Sequence, residues 1–182
     1  MSTLSIDLGC GPRPRNPFKA TTAVGVDLQT FNCDSVLVAR LGFEALPFED
    51  SSADFITAFD LIEHIPRHSP GVPTGNPFIF LMSEIWRVLR NGGLFYAQTP
   101  AYPSPNAFSD PTHVNIITSE TVRYFATEMT ADGQVIVDDR VQLGKRYGFT
   151  GDFVCLRNHA VAAYGHQVWL LRARKNPTPQ TG

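Results

Sequence analysis

Three features of the 182-residue chain predict an α/β fold on a Rossmann-like, mostly parallel sheet. Short apolar runs alternate with stretches of helical spacing through its first half, the pattern of strand–crossover–strand units. The first run, Leu4–Leu8, leads straight into a glycine loop, Gly9-Cys10-Gly11, and the second closes on an acid, Asp27. The length suits one domain with a substantial core. That domain is expected over 1–174, followed by a polar, frayed tail at 175–182 (KNPTPQTG).

After Leu4–Leu8 the second strand is expected at 23–28. The third lies at 35–41 (SVLVARL), the fourth at 54–59 (DFITAF) and a fifth at 93–99 (GLFYAQT). The best helix is NPFIFLMSEIWRVLRNGG: Asn76 stands where a cap belongs, and Pro77 fits a first turn that needs no N–H. Phe80, Leu81, Ile85, Val88 and Leu89 repeat at helical spacing, which puts this stripe and Trp86 in the core. Gly92–Gly93 is read as its stop. A second helix is expected from about Thr118–Glu120, carrying Val122, Phe125 and Met129. Beyond Gly133, QVIVDDRVQLGKRYG and YGHQVWLLRARK read as two strands of a closing hairpin, joined by a long loop over 149–163. Between the first two strands Pro12, Pro14 and Pro17 leave room for about one helical turn, so this crossover is expected to be a short, rigid loop at the rim of the ligand pocket.

Hydrophobic residues make up 43% of the chain and charged ones 18%, an ordinary globular balance. With a net charge of −2 and no Lys/Arg run longer than two, a nucleic-acid partner is not expected. Cys10, Cys33 and Cys155 show no metal-ligand spacing and read as thiols of a reducing cytoplasm. Neither a signal peptide nor a membrane span is expected.

The loop chemistry narrows the ligand. Gly9 and Gly11 allow a tight turn and a close approach to backbone N–H groups. Asp27, 27 − 7 = 20 residues after Asp7, can accept bonds from ribose hydroxyls. Pro14 stands where a dinucleotide loop needs its third glycine, and no Gly-Lys-Ser/Thr follows for a P-loop. Asp7 would repel phosphates and attract an ammonium group. A ribose-bearing cation fits better than a pyrophosphate.

IDLGCG, VGVDL, LPFEDSSADFITAFDLIEHI, EIWRVLRNGGLFYAQTP and DPTHVNIITSETVRYF together resemble a class I SAM-dependent methyltransferase of the methyltransferase type 11 kind. The resemblance implies seven strands in the order 3-2-1-4-5-7-6, with strand 7 antiparallel, and S-adenosyl-L-methionine as cofactor. It places Asp7, Gly9, Cys10 and Gly11 around the methionine part and Asp27 on the ribose. Leu28 and Leu46 would flank the adenine, and Phe59 and Asp60 would approach from the end of the fourth strand. Two departures stand out. Arg40-Leu41-Gly42-Phe43 occupies the place of an acid that commonly receives the adenine amino group, leaving Phe43, backbone groups or Glu44 for that contact. No helical segment precedes the first strand, so internal loops or a partner chain, such as a second copy in a homodimer, are expected to form the lid.

Methyl transfer is an in-line displacement, and a hydroxyl acceptor needs a base within hydrogen-bond reach. His113 and His64 both fall at the functional edge of the sheet, with Asp110 read either as an orienting acid for His113 or as the start of a turn ahead of Pro111. Asp60, Glu63 and His64 form a D-x-x-E-H run, similar to the E-x-x-E-H that binds a divalent metal in some ubiquinone-pathway O-methyltransferases. Type 11 relatives carry the E-H pair without metal, and none is expected; Glu63 is read as bonding backbone or a nearby loop. Tyr102 and Phe108 are read either as an acceptor wall or as buried aromatics of a rigid connector. His68, His159 and His166 have no partner spacing. The expected function is methylation of a small-molecule or glycan hydroxyl, the alternatives being an N-methyltransferase or a silent SAM-fold binding subunit.

Overall fold

The computed structural model describes residues 2–72, 75–131, 134–161, 163 and 165–175. One sheet of nine strands runs through them, in the order β3-β2-β1-β4-β5-β9-β8-β6-β7. β1 (Leu4–Leu8), β2 (Thr22–Asp27), β3 (Val36–Val38), β4 (Ala53–Phe59) and β5 (Leu89–Pro100) pair in parallel. β9 (His166–Ala173) lies antiparallel between β5 and β8 (Phe153–Val161). The order 3-2-1-4-5-7-6 is thus present, with β9 as strand 7 and β8 as strand 6. The count of seven is corrected to nine by a hairpin, β6 (Ala126–Ala131) and β7 (Gln134–Val137), added beyond β8.

That hairpin overturns two expectations. Val122 and Phe125 are buried, but through a single 3-10 turn over Thr121–Tyr124 rather than a helix. Met129 then sits on a strand, where the β-branched Thr127 and Thr130 fit and pairing with β8 outweighs the apparent helical spacing. Downstream, only QVIV is extended; VQLGKR forms a short helix, Val141–Arg146. The closing hairpin therefore pairs β9 with β8, inside the segment read as a loop. Three successive polar residues, the exposed Arg157 and His159 with the half-buried Asn158 between them, hid that strand's alternation.

α1 (Pro77–Val88) begins where expected and ends short of Gly92–Gly93, because Leu89 is already extended. Phe78, Leu81, Met82 and Ile85 bury against the sheet face carrying Ile6, Leu8, Ile56 and Phe95. Phe80 and Trp86 are only half-buried. Trp86 instead anchors the C-terminal segment, donating to Arg174 O at 3.1 Å and lying 4.8 Å beneath Lys175 Nζ. Lys175 also bonds Asn91, Ser51 and the Arg87 carbonyl, so the expected tail is tied down at its first residue; 176–182 lie outside the described residues.

The E-x-x-R part of this helix is a clamp. Glu84 accepts Leu46 N–H at 2.8 Å and pairs with Arg87, whose guanidinium also reaches Asp50 and the carbonyls of Leu46 and Phe48. Charged pairing of a carboxylate only 8% exposed fixes the 46–50 turn onto α1 and so fixes the approach to β4.

The opposite sheet face is covered near β1, β2 and β4 by the 12–21 loop, which contains no helix, as the prolines predict. Phe18 stacks on Phe55 at 4.5 Å, Arg15 lies over Phe59 at 4.6 Å, and Asn16 clasps both backbone groups of Ala20. Gly25 has to be glycine here, since a Cβ would stand 2.2 Å from Cys10 Sγ.

Candidate functional site

The glycine loop turns at the carboxyl end of β1. Gly9 (φ 65°) and Gly11 (φ 61°) both adopt the left-handed region, and a Cβ on Gly9 would meet Leu61 Cδ1 at 2.9 Å. Asp27 closes the loop from the end of β2: its Oδ2 accepts Gly11 N–H at 2.9 Å and its Oδ1 accepts Gln29 N–H at 3.0 Å. Each oxygen keeps a lone pair for a ligand hydroxyl. A cavity of about 270 Å³ opens beside it, lined by Gly9, Asp27, Leu28, Arg40, Phe43, Leu61 and His64 among others. Leu28 is 65% exposed at this cavity, an apolar side chain with nothing yet to cover. Arg40 lies 4.8 Å over the Phe43 ring. Glu44 turns back to accept Arg40 N–H and does not line the cavity.

Other site residues expected from the sequence are nearby but support the cavity from outside its lining. Leu46 is 2% exposed in the core, and the buried Cys10 thiol donates to Gly11 O, its pKa pushed up to about 11 by burial. Phe59 lies beneath Arg15. Asp7 is fully buried; its Oδ1 accepts Thr57 Oγ1–H at 2.6 Å and its Oδ2 accepts Arg15 N–H at 2.8 Å. It thus pins the crossover loop to β1 and β4. Burial raises its pKa, outweighing these hydrogen bonds. A carboxyl raised in the folded state contributes stability that is present below its ordinary pKa and lost as pH climbs through the raised value. Asp7→Asn keeps both contacts if Thr57 turns to accept, so its stability is expected to fall less than wild type's between about pH 4 and neutrality; urea titrations across that range measure it, and parallel curves would overturn the assignment.

Asp60, at φ 49°, points away from its D-x-x-E-H neighbours and meets His166 Nε2 at 3.0 Å. His166, which the sequence left without a partner, here joins β9 to the end of β4. It also lines a second cavity of about 530 Å³, between the 101–106 loop and the β8–β9 turn. Tyr102 borders that space. Tyr102 and Phe108 meet edge to face at 6.5 Å and are 60% and 54% exposed, so they are not the buried aromatics of a connector. His68 and His159 are exposed.

His64 and His113 come together, 49 residues apart in sequence, with ring centroids 4.9 Å apart and edge to face. Two bonds bring the segments together: Glu63 O accepts the N–H groups of Val114 and Asn115, both at 2.9 Å. His64 Nδ1 faces Thr112 O and Thr112 Oγ1, and His113 Nδ1 faces Ala107 O. A carbonyl can only accept, so Nδ1 carries the proton on both rings and each Nε2 offers a lone pair when neutral. Asp110 reaches His64 rather than His113 by its side chain: its Oδ1 accepts Thr112 Oγ1–H at 2.6 Å, and that hydroxyl meets His64. These hydrogen bonds hold the Asp110 carboxyl below the usual range. Thr57, Thr99, Thr112 and His166 complete this region and carry no sequence signature of their own.

The family model described as "Methyltransferase domain" matches residues 6–97 of this chain. No curated protein sequence matches it significantly. Several solved structures share its fold. A SAM dependent methyltransferase from Archaeoglobus fulgidus superposes with a TM-score of 0.54 at 16% identity, covering 96% of this chain and 86% of that one. Phosphoethanolamine N-methyltransferase 1 of Haemonchus contortus, solved with phosphoethanolamine and S-adenosylhomocysteine, gives 0.60 at 11% identity over 100% of this chain and 40% of that one. A chain from the complex between the Haloferax volcanii Trm112 methyltransferase activator and a methyltransferase gives 0.56 at 14% identity, covering 97% of this chain and 84% of that one. At such identities the likeness is one of fold.

Proposed function

The chain belongs to the methyltransferase domain family as a SAM-dependent methyltransferase, and from that premise we propose that it methylates a hydroxyl of a small molecule or glycan. The observation that carries the reading is a shared lining: Asp27, the ribose acid, and His64, with its Nε2 lone pair, border one cavity. The bound cofactor supplies a methyl group activated on a sulfonium. Everything else is positioning and proton management by the chain.

In this reading Asp27 accepts the two ribose hydroxyls, while Leu28 and Phe43 enclose the adenine, with Leu46 supporting them from the core. The Gly9-Cys10-Gly11 turn presents backbone to the methionine part, and Asp7 acts indirectly, by tying the crossover loop that follows the turn to β1 and β4. Phe59 and Asp60 border the approach from β4. His113 and His64 hold and remove the acceptor proton at Nε2, and Asp110 steadies His64 through Thr112. The acceptor enters from the side of the 101–106 loop, where Tyr102 and Phe108 offer exposed aromatic edges suited to a sugar or aryl ring.

Three free thiols support a cytoplasmic setting, and no helix among the described residues is long and apolar enough to cross a membrane. The formal charge of −2 supports a small or neutral acceptor over nucleic acid. Turnover of methyl-labelled cofactor against a panel of hydroxyl and amine acceptors tests the reading. Label is expected in hydroxyl acceptors; label in amines alone would convert the assignment to N-methylation, and none in any acceptor would leave a binding subunit.

A further inference from the structure

We propose that Glu63, His64 and His113 form a binding site for a borderline divalent transition-metal cation at the edge of the cofactor cavity. The three residues each offer a ligand atom, and these atoms lie within 4.8 Å of one another. This set differs from the D-x-x-E-H run, because Asp60 is turned away to His166 and His113 arrives from the far side of the 100–115 loop.

The independent observation is a carboxylate left half-served. Glu63 is 1% exposed; its Oε2 accepts Thr99 Oγ1–H at 2.8 Å, while its Oε1 is buried with no hydrogen-bond partner among the described residues. A buried oxygen of this kind costs several kcal/mol of lost hydration unless something cationic or a donor meets it. The neighbouring groups suited to meet it are the two imidazoles, and both have their donor nitrogen, Nδ1, committed elsewhere. What they turn to the open space is two lone pairs. In their unprotonated forms a carboxylate and two lone-pair nitrogens do not satisfy one another, and a shared cation serves all three.

The surroundings fit metal ligation in a second respect. Ligating histidines characteristically donate their other ring N–H to a backbone carbonyl or carboxylate, which fixes tautomer and ring plane. Ala107 O does this for His113, and Thr112 does it for His64, with Asp110 behind Thr112. Two nitrogens and one oxygen suit Zn²⁺, Co²⁺ or Fe²⁺ rather than Ca²⁺, Mg²⁺ or Mn²⁺, which prefer oxygen shells. Binding at about 2.0–2.2 Å would draw the three ligand atoms to roughly 3–3.5 Å apart and leave open positions. With a cation bound the two Nε2 lone pairs no longer serve as bases; His64 borders the cofactor cavity, so an acceptor hydroxyl could instead occupy an open position and lose its proton to solvent more easily. That use rests on the hydroxyl reading above; the site itself does not.

Metal-stripped full-length protein titrated with Co²⁺, followed by visible absorption and calorimetry, tests the site. One equivalent is expected to bind with the intense bands of a low-coordinate Co²⁺ centre, and Zn²⁺ should displace it. Glu63→Gln and His113→Ala are each expected to weaken binding by about 100-fold or more, whereas His68→Ala, an exposed histidine outside the cluster, should leave it intact. S-adenosylhomocysteine binding by the same variants checks that they fold. Wild type that binds no stoichiometric cation, or binding unmoved by Glu63→Gln and His113→Ala, would overturn the site. Protein that takes up S-adenosylhomocysteine but no cation rejects the metal and leaves the methyltransferase reading standing; cation uptake without S-adenosylhomocysteine uptake upholds the metal and rejects the cofactor role of Asp27.

Discussion

Asp27→Ala is expected to abolish measurable binding of S-adenosylhomocysteine. Two ribose hydroxyls bonded to one carboxylate are worth about 1.5–3 kcal/mol each, so their joint loss weakens affinity by roughly 10²–10⁴-fold. The variant has a second effect that adds to the first. Gly11 N–H and Gln29 N–H lose their acceptor, and the glycine turn loses the tie that holds it against β2. Asp27→Asn separates the two contributions. One amide oxygen can still serve one backbone N–H, but the amide nitrogen faces a donor, so an intermediate affinity is expected. Calorimetry on wild type and both variants, with circular dichroism to confirm the fold, gives the ranking. Equal affinity in wild type and Asp27→Ala would remove Asp27 from the ribose site.

The glycine turn, the acid beside it and the loop between them were legible because their signals are local. A strand, two glycines and an acid at the next strand's tip lie within 24 residues, 4–27, and each acts through backbone geometry that residue type alone dictates. The prolines at 12, 14 and 17 likewise announced a loop in place of a helix, and the loop compensates with Phe18 on Phe55 and Asp7 on Arg15 N–H. What was not legible depends on distant pairing. Met129 looked helical because its spacing to Val122 and Phe125 is helical, and only the presence of β8 as a partner makes it a strand residue. β8 itself was hidden because its far half carries three successive polar residues, the exposed Arg157 and His159 and, between them, Asn158, which bonds Ser119 O and Gln167.

The same distinction applies to the chemistry. His64 and His113 were both legible as candidates, yet nothing in the sequence said that their rings would meet. That depends on Glu63 O gathering two N–H groups from the 114–115 backbone. Asp110 was legible as the start of a turn, and its Oδ1 does accept Thr112 N–H at 2.8 Å; adjacency in sequence did not show that the Thr112 hydroxyl, which it also accepts, meets His64. Asp60 and His166, 106 residues apart, had no common signature at all.

Replacing either imidazole should slow methyl transfer to a hydroxyl far more than it weakens cofactor binding. A positioned base contributes about 10²–10⁴-fold, so His113→Ala, which does not line the Asp27 cavity, is expected to lose kcat in that range at nearly unchanged affinity for S-adenosylhomocysteine. His64→Ala should lose comparable rate and some affinity, since His64 does line that cavity. Asp110→Asn acts through Thr112, whose hydroxyl and backbone N–H are both accepted by Asp110 Oδ1, and should cost about tenfold or less. Running each variant in the presence of a chelator separates two ways of acidifying the acceptor. A chelated wild type that keeps its rate, and still loses it on His113→Ala, uses the imidazole as base. A chelated wild type that is already as slow as His113→Ala uses the cation instead. Full activity of both histidine variants on a hydroxyl acceptor would exclude the pair from proton removal, because a neutral hydroxyl is too weak a nucleophile to displace a thioether unaided. The amine case runs the other way. Lone-pair nitrogen needs alignment and desolvation but no base, so with an amine the same substitutions should cost little, and that contrast identifies the acceptor atom.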